Sequence, residues 1–222
     1  SRLMRPGHYG KLQKPLKTTK NKICLLIATN NPGKVQEIQA ILANLALDIF
    51  LPADIGLALD VKEDGANYAE NASKKALAFT QASGMISLAD DSGLEVEKLR
   101  GEPGHHSARY ATVPNASDAD RRAYLLKKME GIPRPWRAVF RARVSIANPA
   151  GTVKLVEGIC EGEIIPEERG HGGFGYDPIF LIQDLGKTMA ELEMGQKNRL
   201  SHRGKAIRKA IPILFDFLRE NT

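Results

Sequence analysis

Residues 22–28, KICLLIA, are a continuous apolar run with no polar face, and a strand of that kind must be covered on both sides. The polar turn TNNPGK follows at once. Beyond it Val35, Ile38, Ile41, Leu42 and Leu45 recur at helical spacing, which predicts an amphipathic helix over residues 33–46 packed on that strand. A strand, a tight loop and a covering helix in this order call for the layered architecture of an α/β protein.

The rest of the chain fits that frame. LDIFL at 47–51 reads as a second strand, and residues 60–65 as an acidic turn. Over 66–83, Ala69, Ala72, Ala76 and Phe79 share one helical face, with Glu70, Asn71, Lys74 and Lys75 off it. MISLAD at 85–90 reads as another buried strand, ending at two aspartates and followed by a polar, glycine-rich loop over 91–115. Ser117 and Asp120 have the spacing of a capping box for a helix over 118–129. From 137 to 147 the period is two, with Ala138, Phe140, Ala142, Val144 and Ile146 facing one way, the pattern of a half-buried antiparallel strand. Gly151 marks its hairpin turn, and VKLVEGICEGEII returns as the partner strand. Residues 169–180 are too rich in glycine for the interior of an element. The last helix is expected from 201 to about 218, burying Ile207, Ile211, Leu214 and Leu218 and kinked by Pro212. No repeat or clean linker interrupts residues 22–222, so the expectation is one α/β domain: a mixed β-sheet with flanking helices, in two lobes.

The net charge of +6 is unevenly placed. Residues 1–22 carry seven Lys or Arg and no acid, leaving 25 basic against 26 acidic side chains elsewhere. Residues 1–21 show no apolar periodicity and read as a flexible basic extension, without the apolar core of a secretory signal. A nucleic-acid binder needs its basic footprint on the folded domain, so no nucleic-acid partner is expected. No stretch approaches the roughly 20 apolar residues of a membrane span, and no membrane partner is expected. Cys24 and Cys160 each lie in an apolar run and give neither a disulfide framework nor a zinc spacing, which points to a cytoplasmic protein.

Three loops could carry chemistry. In the first, Thr29, Asn30, Asn31, Pro32, Gly33 and Lys34 join a buried strand to a helix start, where free N–H groups and a lysine attract an anion; the alternative is an ordinary Pro-Gly helix-opening turn. In the second, Asp90, Asp91, Ser92 and Gly93 follow a strand, and adjacent carboxylates there suit Mg²⁺, with Glu63, Glu70 or Asp60 completing the shell; the alternative is a turn that satisfies its own N–H groups. In the third, Lys197, Arg199, His202, Arg203 and Lys205 surround the start of the last helix, with Ser201 as its cap. Cations there oppose the helix dipole unless an anion lies among them; the alternative is a solvated basic surface. GGFGYDP adds Phe174, a flat aromatic on a backbone able to approach a base closely or simply a core ring in a turn. Ser107 and Arg109 face the same cleft or structure their own loop.

Seven segments, ATNNPGK, ENASKKA, ADDSGLEV, PGHHSARYA, GGFGYDPIF, GKTMAEL and SHRGKA, occur in an order that resembles the inosine triphosphate pyrophosphatase family, in its bacterial dITP/XTP branch, over about residues 22–218. The resemblance implies two lobes around a central cleft, a Mg²⁺ requirement, a homodimer, and hydrolysis of non-standard purine nucleoside triphosphates such as ITP, dITP and XTP. It places Thr29, Asn30, Asn31, Pro32, Gly33 and Lys34 on the substrate, with Ser92, then Phe174, Gly175, Tyr176 and Asp177, and then Lys197, His202 and Arg203. It makes Asp91 both metal ligand and proton acceptor, with Glu63 as second ligand. ATVP at 111–114 replaces a shorter glycine-containing stretch, and residues 1–21 have no family counterpart.

The expected reaction is attack of a Mg²⁺-associated water on the α-phosphorus, releasing a nucleoside monophosphate and pyrophosphate, with Lys34 and Lys197 neutralising the leaving group. His202 and Arg203 would donate to the oxygen at position 6 of hypoxanthine or xanthine. Three other readings compete: a regulatory module of the same fold that binds without turnover, a nucleic-acid binder acting through the basic extension, and a pyrophosphatase for other modified nucleotides.

Overall fold

In the computed structural model, which describes residues 22–220, the KICLLIA run forms β1 (Ile23–Ile27). Its side chains enter two different layers. Leu25 and Ile27 pack with Ile38 and Leu42 on one face, and Leu26 packs with Ala76 and Phe79 on the other. The helix that follows, α1 (Pro32–Leu42), stops short of the expected residue 46. Leu45 still packs against the core, but from the turn that leads into β2 (Leu47–Phe50), so apolar spacing outlasts the helix there.

Next come α2 (Tyr68–Ser83) and β3 (Ile86–Val96). Here the sequence expectation is corrected. The strand does not end at the aspartates; it runs through them to Val96, with Asp90 opposite Val144 and Asp91 opposite Arg143 of β5 (Trp136–Ala147). Polar residues signal a strand end only when water is their sole partner, and these side chains have protein partners. The segment expected as loop from 91 also contains β4 (Pro103–Gly104), which pairs with Leu94 and Glu95. Helix α3 (Asp118–Met129) starts with the expected capping box, Asp120 N–H donating to Ser117 Oγ at 3.1 Å and Ser117 N–H to Asp120 Oδ2 at 2.8 Å.

After β5, Gly151 takes φ of 86° in the turn to β6 (Val153–Ile164), as the period-two pattern predicts. Two short strands, β7 (Phe180–Ile182) and β8 (Lys187–Thr188), complete the sheet. Two helices close the described chain, the short α4 (Met194–Leu200), which the sequence pattern did not separate, and α5 (His202–Glu220), which continues through Pro212. Ile207, Leu214 and Phe217 are buried on α5 and Ile211 is half-buried; the expectations for the Leu218 side chain and for residues 1–21 lie outside the described residues.

The sheet order is β2-β1-β3-β5-β6-β7-β8, with β4 added on β3. Strands β2, β1 and β3 are parallel and the rest antiparallel, so the sheet is mixed as expected. The core is divided along β3. Leu88 belongs to the cluster packed under α1 and α5, whereas Leu94 and Val96 belong to one with Met129, Trp136 and Phe180. Residues 90–93 bridge the two, which sets them at the junction of the lobes. Among the described residues no helix is long and apolar enough to cross a membrane.

Candidate active site

Pleating decides what the adjacent aspartates do. Successive residues of a strand point to opposite faces, so Asp90 and Ser92 turn toward α5 while Asp91 turns toward α2. Asp90 is 1% exposed and ion-paired with Lys34 and with Arg203, whose Nε lies 3.1 Å from Asp90 Oδ2. Burial alone would raise its pKa, but Arg203 and Lys34 outweigh burial and hold the carboxyl well below the usual range. Asp91, 5% exposed, receives one hydrogen bond, from Asn71 Nδ2 at 3.0 Å. Burial, with help from the charges of Glu63 and Asp90, pushes its pKa up to about 6 against the opposing effects of Lys34 and Asn71. Among the described buried acids, Asp91 is the one engaged in no ion pair.

In the basic cluster before the last helix Arg199 and Lys205 are exposed, but Lys197, His202 and Arg203 are buried, and the anions beside Lys197 and Arg203 are acids of the protein itself. Lys197 lies in α4 rather than in the first turn of α5, buried, and pairs with Glu37 and with Asp177 at 2.6 Å. Arg203 is equally buried and contacts Glu37 at 2.5 Å, Asp90, and Ser92 Oγ at 2.8 Å. Glu37, on α1, thus receives both cations, a role its place in an apparently amphipathic helix did not reveal. Only the absence of water on its side of α1 distinguishes it, and that is a tertiary fact. Ser201 does cap α5, accepting from Gly204 N–H at 3.0 Å.

The first loop is a capped turn in which Asn31 N–H donates to Thr29 Oγ1 and Lys34 N–H to Asn31 Oδ1, with Pro32 in the first helical turn. Gly33 is required by proximity, since a Cβ there would lie 2.4 Å from the Phe174 ring. That ring also lies 5.0 Å from Lys197 Nζ and 5.5 Å from Arg203 Cζ. Its loop is anchored by Asp177, which accepts from Phe174 N–H at 3.0 Å, and by Asp118, which accepts from Gly175 N–H at 2.8 Å. Tyr176 is a core residue, its hydroxyl donating to the Ser107 carbonyl at 2.8 Å. His202 stacks on Phe140 with ring centroids 4.8 Å apart, and burial with nearby Arg203 keeps its imidazole neutral; its Nδ1 has no partner among the described residues.

These groups surround two adjoining cavities. One, of about 150 Å³, is lined by Asp91, Phe140, Phe174, Lys197, His202 and Arg203 among others. The second, of about 550 Å³, is lined by Thr29, Asn30, Asp60, Glu63, Lys75 and Arg109, and the two share Glu63 and Arg109. Lys75, an unassigned surface residue in the sequence reading, is mostly buried, ion-paired with Glu63, and donates to the Asp90 carbonyl at 3.4 Å. Arg109 Nη2 donates to the Glu63 carbonyl at 3.2 Å, and Ser107 structures its loop through Leu94 N–H and the Gly104 carbonyl. Glu70 is excluded from the acidic group, because its carboxylate accepts from Ala66 N–H and Asn67 Nδ2 at the start of α2.

Asp91 and Glu63 offer hard oxygen donors of the kind Mg²⁺ takes. No group of three or more His, Cys, Asp or Glu side chains forms a metal cage among the described residues. Magnesium does not need one, since it is commonly held by one or two carboxylates together with substrate phosphates. Relief of an unpaired, buried carboxylate such as Asp91 by a cation fits the same chemistry.

Comparison with known proteins gives a consistent family. The Ham1 family profile matches residues 25–213. A dITP/XTP pyrophosphatase of Desulforamulus reducens is 47% identical over 191 residues, covering 86% of this chain and 94% of that protein. The HAM1 protein of Coxiella burnetii superposes with a TM-score of 0.79 at 34% identity, covering 87% of this chain and 99% of that one. The Ham1 protein of Staphylococcus aureus superposes with a TM-score of 0.74 at 39% identity, covering 90% and 100%.

Proposed function

The chain belongs to the Ham1 family, and we propose from that premise that it hydrolyses non-standard purine nucleoside triphosphates, ITP, dITP and XTP, to the nucleoside monophosphate and pyrophosphate. The observation that carries the reading is Asp91: a buried carboxylate with no ion pair among the described residues, raised to a pKa of about 6, in an aromatic, donor-rich pocket that shares Glu63 and Arg109 with a wider cavity lined by acids and bases together.

The base lies against Phe174 in the smaller cavity, within reach of His202, Lys197 and Arg203. Donors there favour an oxygen at position 6 over the amino group of adenine. The polyphosphate runs into the larger cavity, past the loop from Thr29 to Lys34 and toward Lys75 and Arg109. Asp91 and Glu63 would hold Mg²⁺, which supplies Lewis acidity and lowers the pKa of a coordinated water when bound. Asp91 accepts the proton of the water that attacks the α-phosphorus, through a carboxylate of which Asn71 engages only Oδ2. Lys34 and Lys75 meet the charge of the departing pyrophosphate. Lys75, which lines the larger cavity, takes the part first expected of Lys197, which lies in the smaller one under Phe174. The proposal extends to a cytoplasmic homodimer with residues 22–222 as one catalytic domain.

A panel of nucleoside triphosphates with Mg²⁺, both products separated by chromatography, tests this directly. ITP, dITP and XTP should yield monophosphate and pyrophosphate. Cleavage of ATP or GTP at the ITP rate removes the base selectivity, and binding without turnover returns the protein to a regulatory role.

A further inference from the structure

Asn71 lies on the side of α2 that faces β3 and is 1% exposed, although its place in the helix suggested a position off the packed face. The two ends of its amide serve two different segments. Its Oδ1 accepts from Gly65 N–H at 2.8 Å, and its Nδ2 donates to Asp91 Oδ2 at 3.0 Å. The chemistry permits only this orientation, because a backbone N–H must meet the oxygen and a carboxylate must meet the nitrogen. The helix does not need Asn71 as a cap, since Asn67 Oδ1 already accepts from Glu70 N–H at 3.0 Å.

Gly65 ends the turn that carries Glu63, so one buried amide ties the segments bearing both acids. Its neighbours on α2 reinforce the tie: Glu70 holds Ala66 N–H at 2.8 Å, and Lys75, one turn further on, pairs with Glu63. With Oδ2 of Asp91 engaged by the amide, Oδ1 accepts no hydrogen bond among the described residues. We propose that Asn71 is a positioning residue that sets the separation and orientation of Asp91 and Glu63 for a divalent cation. The inference rests on the assignment of those two acids as metal ligands.

Groups that orient metal ligands typically alter affinity by about 10–100-fold when removed. Titration of purified protein with Mn²⁺, followed by electron paramagnetic resonance, measures this without turnover. Asn71→Leu keeps the side-chain size and removes both hydrogen bonds. Gly65→Ala leaves Asn71 and Asp91 in place but brings a Cβ to 2.6 Å from Asn71 Oδ1, so the turn must move off the amide. Both variants should bind Mn²⁺ at least tenfold more weakly than wild type. Wild-type Mn²⁺ affinity in folded Asn71→Leu overturns the proposal, and if that variant does not fold, wild-type affinity in Gly65→Ala overturns it. Asp91→Asn is the control: Mn²⁺ binding unchanged in it would remove the metal assignment itself, and the role of Asn71 with it.

Discussion

Glu37 shows how much one side chain can determine in a buried site. Its carboxylate, 2% exposed, holds Lys197 and Arg203 from a third helix. Burial would raise its pKa, but Arg203 and Lys197 hold it below the usual carboxylate range. Glu37→Gln leaves two buried cations short of a partner, and loss of one member of a buried pair costs about 3–5 kcal/mol. Urea unfolding at pH 7 should show a deficit of that order. The depressed pKa sets the pH dependence: the contribution is complete above the unfolded value of about 4.3 and is lost as pH falls through the lower folded value. The gap between wild type and variant should therefore narrow in acid. Thr29, Lys34, Asp91, Phe174 and Arg203 could all be nominated from residue type and loop context. Glu37, Asn71 and Lys75 could not, because each sits in a helix whose polar side looks solvated until the neighbouring elements are in place.

At the scale of elements, the hairpin of β5 and β6 and the start of α3 were legible because their signals are local: alternation, a turn glycine and a capping box. The cap of α3 also has a task beyond its own helix, since Asp118 anchors Gly175 and Arg122 Nη1 donates to the Gly175 carbonyl at 2.8 Å, fixing the loop that carries Phe174. Ser117→Ala should destabilise the protein by about 1 kcal/mol, the usual value of such a cap, measured by urea unfolding. The course of β3 was not legible. Two aspartates, a serine and a glycine read as a strand end, whereas pairing with β5 continues past them because Arg203, Lys34 and Asn71 arrive from three distant helices.

Across the whole molecule, the site's cations and anions largely offset each other: Lys34, Lys75, Lys197 and Arg203 are all in contact with Glu37, Glu63, Asp90 or Asp177. A triphosphate entering this cleft finds little surplus positive charge in the protein, so a divalent cation has to supply it. Calorimetric titration with a non-hydrolysable ITP analogue should show affinity falling at least tenfold when Mg²⁺ is chelated; equal affinity with and without the ion would contradict this balance. The sequence by itself determined the layered α/β class, the lobes' principal strands and helices, and the loops that supply most of the site, because these follow from short-range periodicity and turn chemistry. Which of two adjacent aspartates is left without a cation, and which cations remain available to substrate, was decided only by tertiary structure. Strand pleat sends Asp90 and Asp91 to opposite faces, and the charges that meet them come from residues dozens of positions away, a distance over which no local pattern carries information.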